Sequence, residues 1–346
     1  MFLKNSLSKS TTSKSEMGWN LELPNATVCI GIAGVTVLAV RRAILHFSAR
    51  CPSRALMTGK TVVITGANCG IGYETALDMA NRQAHVILAC RDVSKGLSAA
   101  KSIIRKTGNQ TVEVKKLDLA SFMSVHEFCD DMKKSVGKLD VLVNNAGVMN
   151  APYALTEDGL ETHMAVNHFS NVLLTNLLLE LLQKPTSSRV VFVSSSLHKY
   201  GKLDLNTLNS EETYKTKKPY ASSKLMNLLY ARELQNCVPS NVSVYTLHPG
   251  MVRTNLGRHA VIFNKLFKIF CFPVYAMLYS LYVLLIKTAR EGCQTVVYCA
   301  VSPELEGERD GYYGNCRKEE WTIPGSDLDL ARKVYDLSMK VTKLKD

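Results

Sequence analysis

The chain has no Cys-x-x-Cys pair, although it carries ten cysteines at positions 29, 51, 69, 90, 129, 237, 271, 293, 299 and 316. That spacing excludes a zinc ribbon and a disulfide framework, and it suits reduced, buried thiols. Its eight histidines, at 46, 85, 126, 163, 168, 198, 248 and 259, show no metal-ligand spacing. Only 10 prolines interrupt 346 residues of which 46% are hydrophobic, a balance that excludes a disordered chain. No repeat of about 20 to 50 residues is apparent, which argues against a solenoid. The net charge of +12 comes from scattered basic residues without a nucleic-acid motif, so no nucleic-acid partner is expected. An anionic membrane face or a phosphorylated cofactor accounts for the charge as well.

What is present is an alternation. Strands are expected at Lys60–Thr65, His85–Cys90, Val112–Leu117, Asp140–Asn144, Arg189–Ser194 and Val242–Leu247. Helices are expected between them at Ile71–Arg82, Ser94–Lys106, Ser121–Val136, Glu157–Gln183 and Tyr220–Asn236, and a last helix and strand at Glu291–Ala300 and Gly311–Gly314. This order predicts an α/β fold of the doubly wound Rossmann type, with about seven parallel strands covered by helices on both faces. The length suits one catalytic domain, 57–346, with an N-terminal appendage, 1–56.

Within the appendage, Ala26 to Val40 carries no charge, and flanking apolar residues extend the run to about 21–47 if Arg41 and Arg42 snorkel. The run starts late and is followed by Arg-Arg rather than a small-residue cleavage site, which argues against a cleaved signal peptide. Five basic and no acidic residues lie between 41 and 60, against three basic and two acidic before 25. The expectation is a membrane anchor with the catalytic domain in the cytosol, on the endoplasmic reticulum or else on a lipid droplet or mitochondrial membrane.

The stretch from Thr65 to Gly72 joins the first expected strand to its helix. Gly66, Gly70 and Gly72, with Asn68, Cys69 and Ile71 between them, permit a tight turn that brings backbone N–H groups to a pyrophosphate. Cys69 carries no information about which cofactor binds. The second strand ends Cys90-Arg91-Asp92. Arg91 can fork onto a ribose 2′-phosphate, which points to NADP(H), whereas Asp92 keeps NAD(H) open. Asp118 and Leu119, after the third strand, are expected near the adenine, with an N-cap as the alternative role of Asp118. Asn145, Ala146 and Gly147 close the fourth strand at the ligand crevice. Tyr220 and Lys224 project from one helical face, and an ammonium close to a phenol favours the phenolate.

Together these segments resemble the short-chain dehydrogenase/reductase family over roughly Gly59 to Gly314. The motifs are the glycine turn, Asn144 to Gly147, Ser194 to Ser196, Tyr220-x-x-x-Lys224 and Pro249-Gly250, in that order. Leu88 to Asp92, Val166 to Phe169 and His248 to Gly250 are similar to its membrane-bound retinol dehydrogenase branch, with a branch acting on long isoprenoid alcohols close behind. The resemblance implies that Tyr220 is the general acid/base and that Lys224 lowers its pKa and holds the nicotinamide ribose. It implies that Ser195 bonds the substrate oxygen, with Ser194 a competitor, and that Asn167 completes a proton relay. Pro249, Gly250 and Thr254 would contact the nicotinamide. The separation of Ser195 and Tyr220 by 25 residues exceeds that of compact members, and the inserted Leu203 to Pro219 is expected to loop out at the pocket mouth.

Residues 269–286 form an uncharged run bracketed by Lys265, Lys268, Lys287 and Arg290. A spanning helix there would strand the last strand across the bilayer from its sheet. The run, within a segment 251–290, is therefore expected to be a lid or interfacial element admitting an apolar substrate, or else a homodimer surface.

Overall fold

The computed structural model of the protein defines residues 34–36, 38–40, 50–216, 218–253, 256, 286–309 and 311–344. The chain from 60 onward alternates as the sequence requires. Strand β1 (Thr61–Thr65) leads to α1 (Gly70–Asn81), β2 (His85–Cys90) to α2 (Val93–Thr107), and β3 (Val112–Lys116) to α3 (Phe122–Ser135). After β4 (Val141–Asn144) comes a composite helix, α4, made of Thr162–Met164, a π-helical Ala165–Phe169, Ser170–Leu177 and Leu179–Leu182. Then follow β5 (Ser188–Val193), a short α5 (Glu211–Thr216), α6 (Pro219–Cys237), β6 (Val242–His248), α7 (Ala289–Val301), β7 (Gly311–Gly314), β8 (Arg317–Glu319), α8 (Ile323–Ser326) and α9 (Leu328–Val341).

The sheet runs β3-β2-β1-β4-β5-β6-β7-β8. Every pairing from β3 to β7 is parallel, and all residues of β1, β4 and β5 are buried, as befits strands covered on both faces. One core lies under α3, α4, α6 and α9, with Phe128, Phe169, Tyr230 and Val334 in it. The other lies under α1, α2 and α7, with Met79, Ile103 and Val297. The strand order reverses between β1 and β4, so the crevice at their carboxyl ends is the natural ligand site.

The structure corrects the expected strand number: the sheet has eight strands, because β7 turns back into an antiparallel β8. Asn315 and Cys316, at φ 51 and 55, make the two-residue link between the paired Gly314 and Arg317. Two positive φ values in such a link are the mark of a type I′ hairpin. It also corrects the start of α4. The segment 157–161 is a turn, with Gly159 at φ 74 and Thr156 N–H bonded to Leu160 O at 2.8 Å, and the helix begins only where the Glu161 carboxylate caps His163 and Met164.

Of the expected anchor, residues 34–36 and 38–40 are helical and exposed, and the rest lies outside the described residues. Among the described residues no helix is long and apolar enough to cross a membrane. Thr254, Asn255 and residues 257–285 of the expected lid also lie outside them.

Candidate active site

Thr65, at the end of β1, ties two loops together. Its hydroxyl oxygen accepts from the N–H groups of Asn145 and Ala146, each at 2.9 Å, and its carbonyl accepts from the Asn145 carboxamide at 2.8 Å. The Asn145 side chain therefore holds the crevice wall together. Behind it the β1–α1 turn passes with Gly66 at φ 66 and Gly70 at φ 60. A Cβ on Gly72 would stand 2.5 Å from the Gly66 carbonyl oxygen and 2.6 Å from Asn145 Nδ2, so only glycine allows the turn to close. Cys69 is the exposed residue before α1 and gives it no side-chain cap, and the first turn holds no acidic residue. The backbone N–H groups at that end are left for an anion, which the helix dipole favours. Asn68 and Ile71 are half-buried beside them.

At the end of β2 the two charged neighbours separate. The Asp92 carboxylate accepts from Ser94 Oγ at 2.7 Å and Lys95 N at 3.1 Å, and pairs with Lys95 Nζ at 2.8 Å. These donors, the Lys95 side chain first, hold its pKa well below the usual carboxylate range, and its job is to cap α2. Arg91 is exposed at the crevice end of the strand. Asp118 does not cap α3 as its alternative role supposed. Ser121 does so, accepting from Ser124 N at 3.2 Å, while Asp118 accepts from Ala120 N at 3.0 Å in a local turn. Leu119 is buried, and its carbonyl accepts from Ser170 Oγ at 2.7 Å.

Pro219 at the first position of α6 fixes the helix start, which puts Tyr220 in its first turn and Lys224 one turn further in. Lys224 is 3% exposed and its Nζ donates to the Val193 carbonyl at 2.8 Å. Burial pulls its pKa down to about 8. Ser195 beside the Tyr220 hydroxyl favours its anion, but burial outweighs this and the phenol is pushed up. The expected acidification of the phenol by the ammonium is not what this geometry gives. The Lys224 amine faces a strand carbonyl and stands 5.9 Å from the centre of the Tyr220 ring, and desolvation dominates both groups.

Ser194 and Ser195 part company. Ser194 is buried and its hydroxyl donates to the Lys224 carbonyl at 2.8 Å, a packing role, whereas Ser195 reaches Tyr220. Asn167 lies in the π-helical part of α4. Its carboxamide donates to Val148 O at 3.0 Å and Ser223 Oγ at 2.9 Å and accepts from Val148 N at 2.7 Å. A π-bulge of this kind commonly marks a functional position. Gly147 passes between these groups: a Cβ there would lie 3.1 Å from Asn167 Oδ1 and 3.4 Å from Lys224 Nζ. Ser223, Val148 and the Val193 carbonyl were missed by sequence reasoning, and no local pattern singles them out.

After β6, Pro249 is buried and Gly250 turns at φ 83. Lys287 donates to Asn315 Oδ1 at 2.6 Å and approaches the Pro249 carbonyl at 3.4 Å. Backbone bonds from Arg253 N to Lys287 O at 2.9 Å and from Lys287 N to Met251 O at 2.8 Å join the two ends of the hydrophobic insertion. The inserted stretch 203–219 contains α5 and docks beside the site through Tyr214 Oη to Ala151 O, 2.7 Å, and Tyr153 Oη to Asn209 O, 2.9 Å. A cavity of about 350 Å³ opens there, lined by Met149, Leu197, Tyr200, Tyr214, Lys218 and Tyr220.

The cradle of small residues, an uncapped helix start and an exposed arginine suit a phosphorylated dinucleotide. The sequence profile of the short chain dehydrogenase family matches residues 60–262. The chain is 42% identical to human (Homo sapiens) retinol dehydrogenase 14, over 90% of this chain and 96% of that protein. It is 44% identical to human retinol dehydrogenase 12, over 84% and 89%. Among solved structures it resembles that of an uncharacterised protein of Mycobacterium paratuberculosis with a TM-score of 0.63 at 33% identity, covering 84% of this chain and 95% of that one.

Proposed function

The chain belongs to the short chain dehydrogenase family as an oxidoreductase of the retinol dehydrogenase type, and from that premise we propose that it interconverts an apolar primary alcohol and its aldehyde with NADP(H), retinol and retinal being the leading pair. The observation that carries the reading is Tyr220, set beside Ser195 and one helical turn from the buried Lys224, on the wall of a cavity where Met149, Leu197 and Ala221 mix with polar residues.

Bound nicotinamide supplies the hydride. In reduction Ser195 donates a hydrogen bond to the aldehyde oxygen and Tyr220 gives it a proton. An alkoxide is about as basic as hydroxide, whose conjugate acid has a pKa of about 15.7, so even a phenol raised by burial is acid enough to protonate it. Lys224, near neutrality at about 8, then stands ready as the source that restores the tyrosine proton. Asn167 holds the loop after β4 against α6 so that Gly147 and Lys224 keep their places.

NADP(H) is favoured over NAD(H) because Asp92 is consumed by the cap of α2, which leaves Arg91 to meet a 2′-phosphate. The proposed setting is a membrane, with the N-terminal run as anchor and the insertion after Gly250 as a lid through which the substrate enters. The ends of that insertion meet at Val252 and Lys287, so a single crossing between them does not fit.

The test is a substrate panel on the detergent-solubilised protein, run with NADPH and NADH in parallel. Retinal should be reduced faster than polyprenals or steroids, and NADPH preferred. No oxidation of either cofactor by any substrate would reduce the protein to a cofactor-binding scaffold.

A further inference from the structure

Glu161 and His163 open α4, and each is 1% exposed. Nδ1 of His163 lies 2.7 Å from Oε1 of Glu161. The other carboxylate oxygen accepts from the N–H groups of His163 and Met164, at 2.9 and 3.1 Å. A carboxylate only accepts, so Nδ1 carries a proton and Nε2 is the ring nitrogen left to face a further partner. That Nε2 is buried and has no hydrogen-bond partner. The same ring lines the cavity that Tyr220 lines, and Tyr214 of the insertion covers its flank, with 6.1 Å between centroids. A buried polar atom left unmatched is costly, and a hydrocarbon substrate does nothing to relieve it.

We infer that Glu161 and His163 form a second polar anchor in the substrate pocket, and that an apolar aldehyde bearing a hydroxyl group remote from the reacting carbon is turned over better than its unsubstituted parent. The inference rests on the proposed alcohol–aldehyde reaction at Tyr220 and narrows its substrate class. A hydroxyl suits the site in either charge state, since it donates to the bare nitrogen of the neutral imidazole and accepts from the protonated ring. Glu161 fixes the ring's orientation from behind, as a carboxylate does for a ligating histidine. His163 binds and does not react.

The test uses the full-length, detergent-solubilised enzyme with NADPH and saturated straight-chain aldehydes of one length. The aldehydes differ only in the position of a single hydroxyl, and each is compared with the unsubstituted parent. At one position kcat/KM should exceed that of the parent about tenfold, chiefly through KM, because a site built around a hydrogen bond rejects analogues that lack it. In His163→Phe that ratio should fall to about one. A wild-type ratio near one at every position, a result that needs no variant, overturns the inference, as does a ratio that survives His163→Phe. Failure to turn over any aldehyde, the parent included, overturns the reading of Tyr220 beneath it as well.

Discussion

Lys224 owes its lowered pKa to burial, and the sign of that effect sets a pH dependence. Below about 8 the amine is protonated and can restore the proton Tyr220 gives away, and above it that supply fails. Carbonyl reduction should therefore fall as pH rises through about 8 in a kcat profile, and a profile that stays flat to about pH 9.5 contradicts the relay. Arg91 is the second residue on which the account turns. Arg91→Ala should weaken NADPH binding by about 10- to 100-fold in a titration and leave NADH within about threefold, since only the former loses a charge-assisted contact. Both residues were legible in the sequence by type and spacing. What was not legible was where the Lys224 amine points, since nothing in Tyr220-x-x-x-Lys224 says that the Val193 carbonyl lies 2.8 Å away. Nor could the sequence show that Asp92 spends its carboxylate on a helix cap, which only the placement of Ser94 and Lys95 reveals.

The β1–α1 turn was readable as an element because glycine carries its own conformational meaning. Gly72→Val should abolish cofactor binding and lower stability by about 1–3 kcal/mol, as overpacking against a backbone oxygen does. Thermal unfolding with and without NADPH would check this, with the ligand-induced rise in Tm lost in the variant. Other elements escaped for physical reasons. The π-helical stretch around Asn167 differs from an α-helix by one residue of hydrogen-bond register, which no hydrophobic pattern encodes. The β7–β8 hairpin turns on Asn315-Cys316 rather than the usual Asn-Gly, and Arg317-Lys-Glu319 reads as a charged loop, though charge on an edge strand protects it from aggregation. Helix α9 did leave a signal, Asp327 as N-cap ahead of Ala331, Val334 and Ser338 on one buried face.

Across the whole molecule, the C-terminal helix is held to the catalytic layer by the packing of Ala331 and Val334, by Tyr335 stacked on Tyr230 at 5.4 Å, and by one buried polar residue. His168 of α4 is fully buried, with Nδ1 2.9 Å from Asn227 Oδ1 on α6 and Nε2 2.8 Å from Ser338 Oγ on α9. Burial lowers its pKa to about 4, so the folded protein holds it neutral while an unfolded chain takes up a proton below about 6.5. Its stability contribution is complete above about 6.5 and is lost as pH falls towards about 4. Urea unfolding of the solubilised protein should show about 2 kcal/mol lost from this group between pH of about 6.5 and 5, and His168→Asn should flatten that slope. The parallel topology was readable from alternation alone, yet this cross-link between residues 170 positions apart was not, because it depends on where α9 lands. The same folding brings Ser195, at the end of β5, beside Tyr220 of α6. Tyr220→Phe, assayed for retinal reduction alongside NADPH binding, should lose about 10²–10⁴-fold in kcat while binding the cofactor normally. Retention of wild-type turnover by that variant would contradict the account.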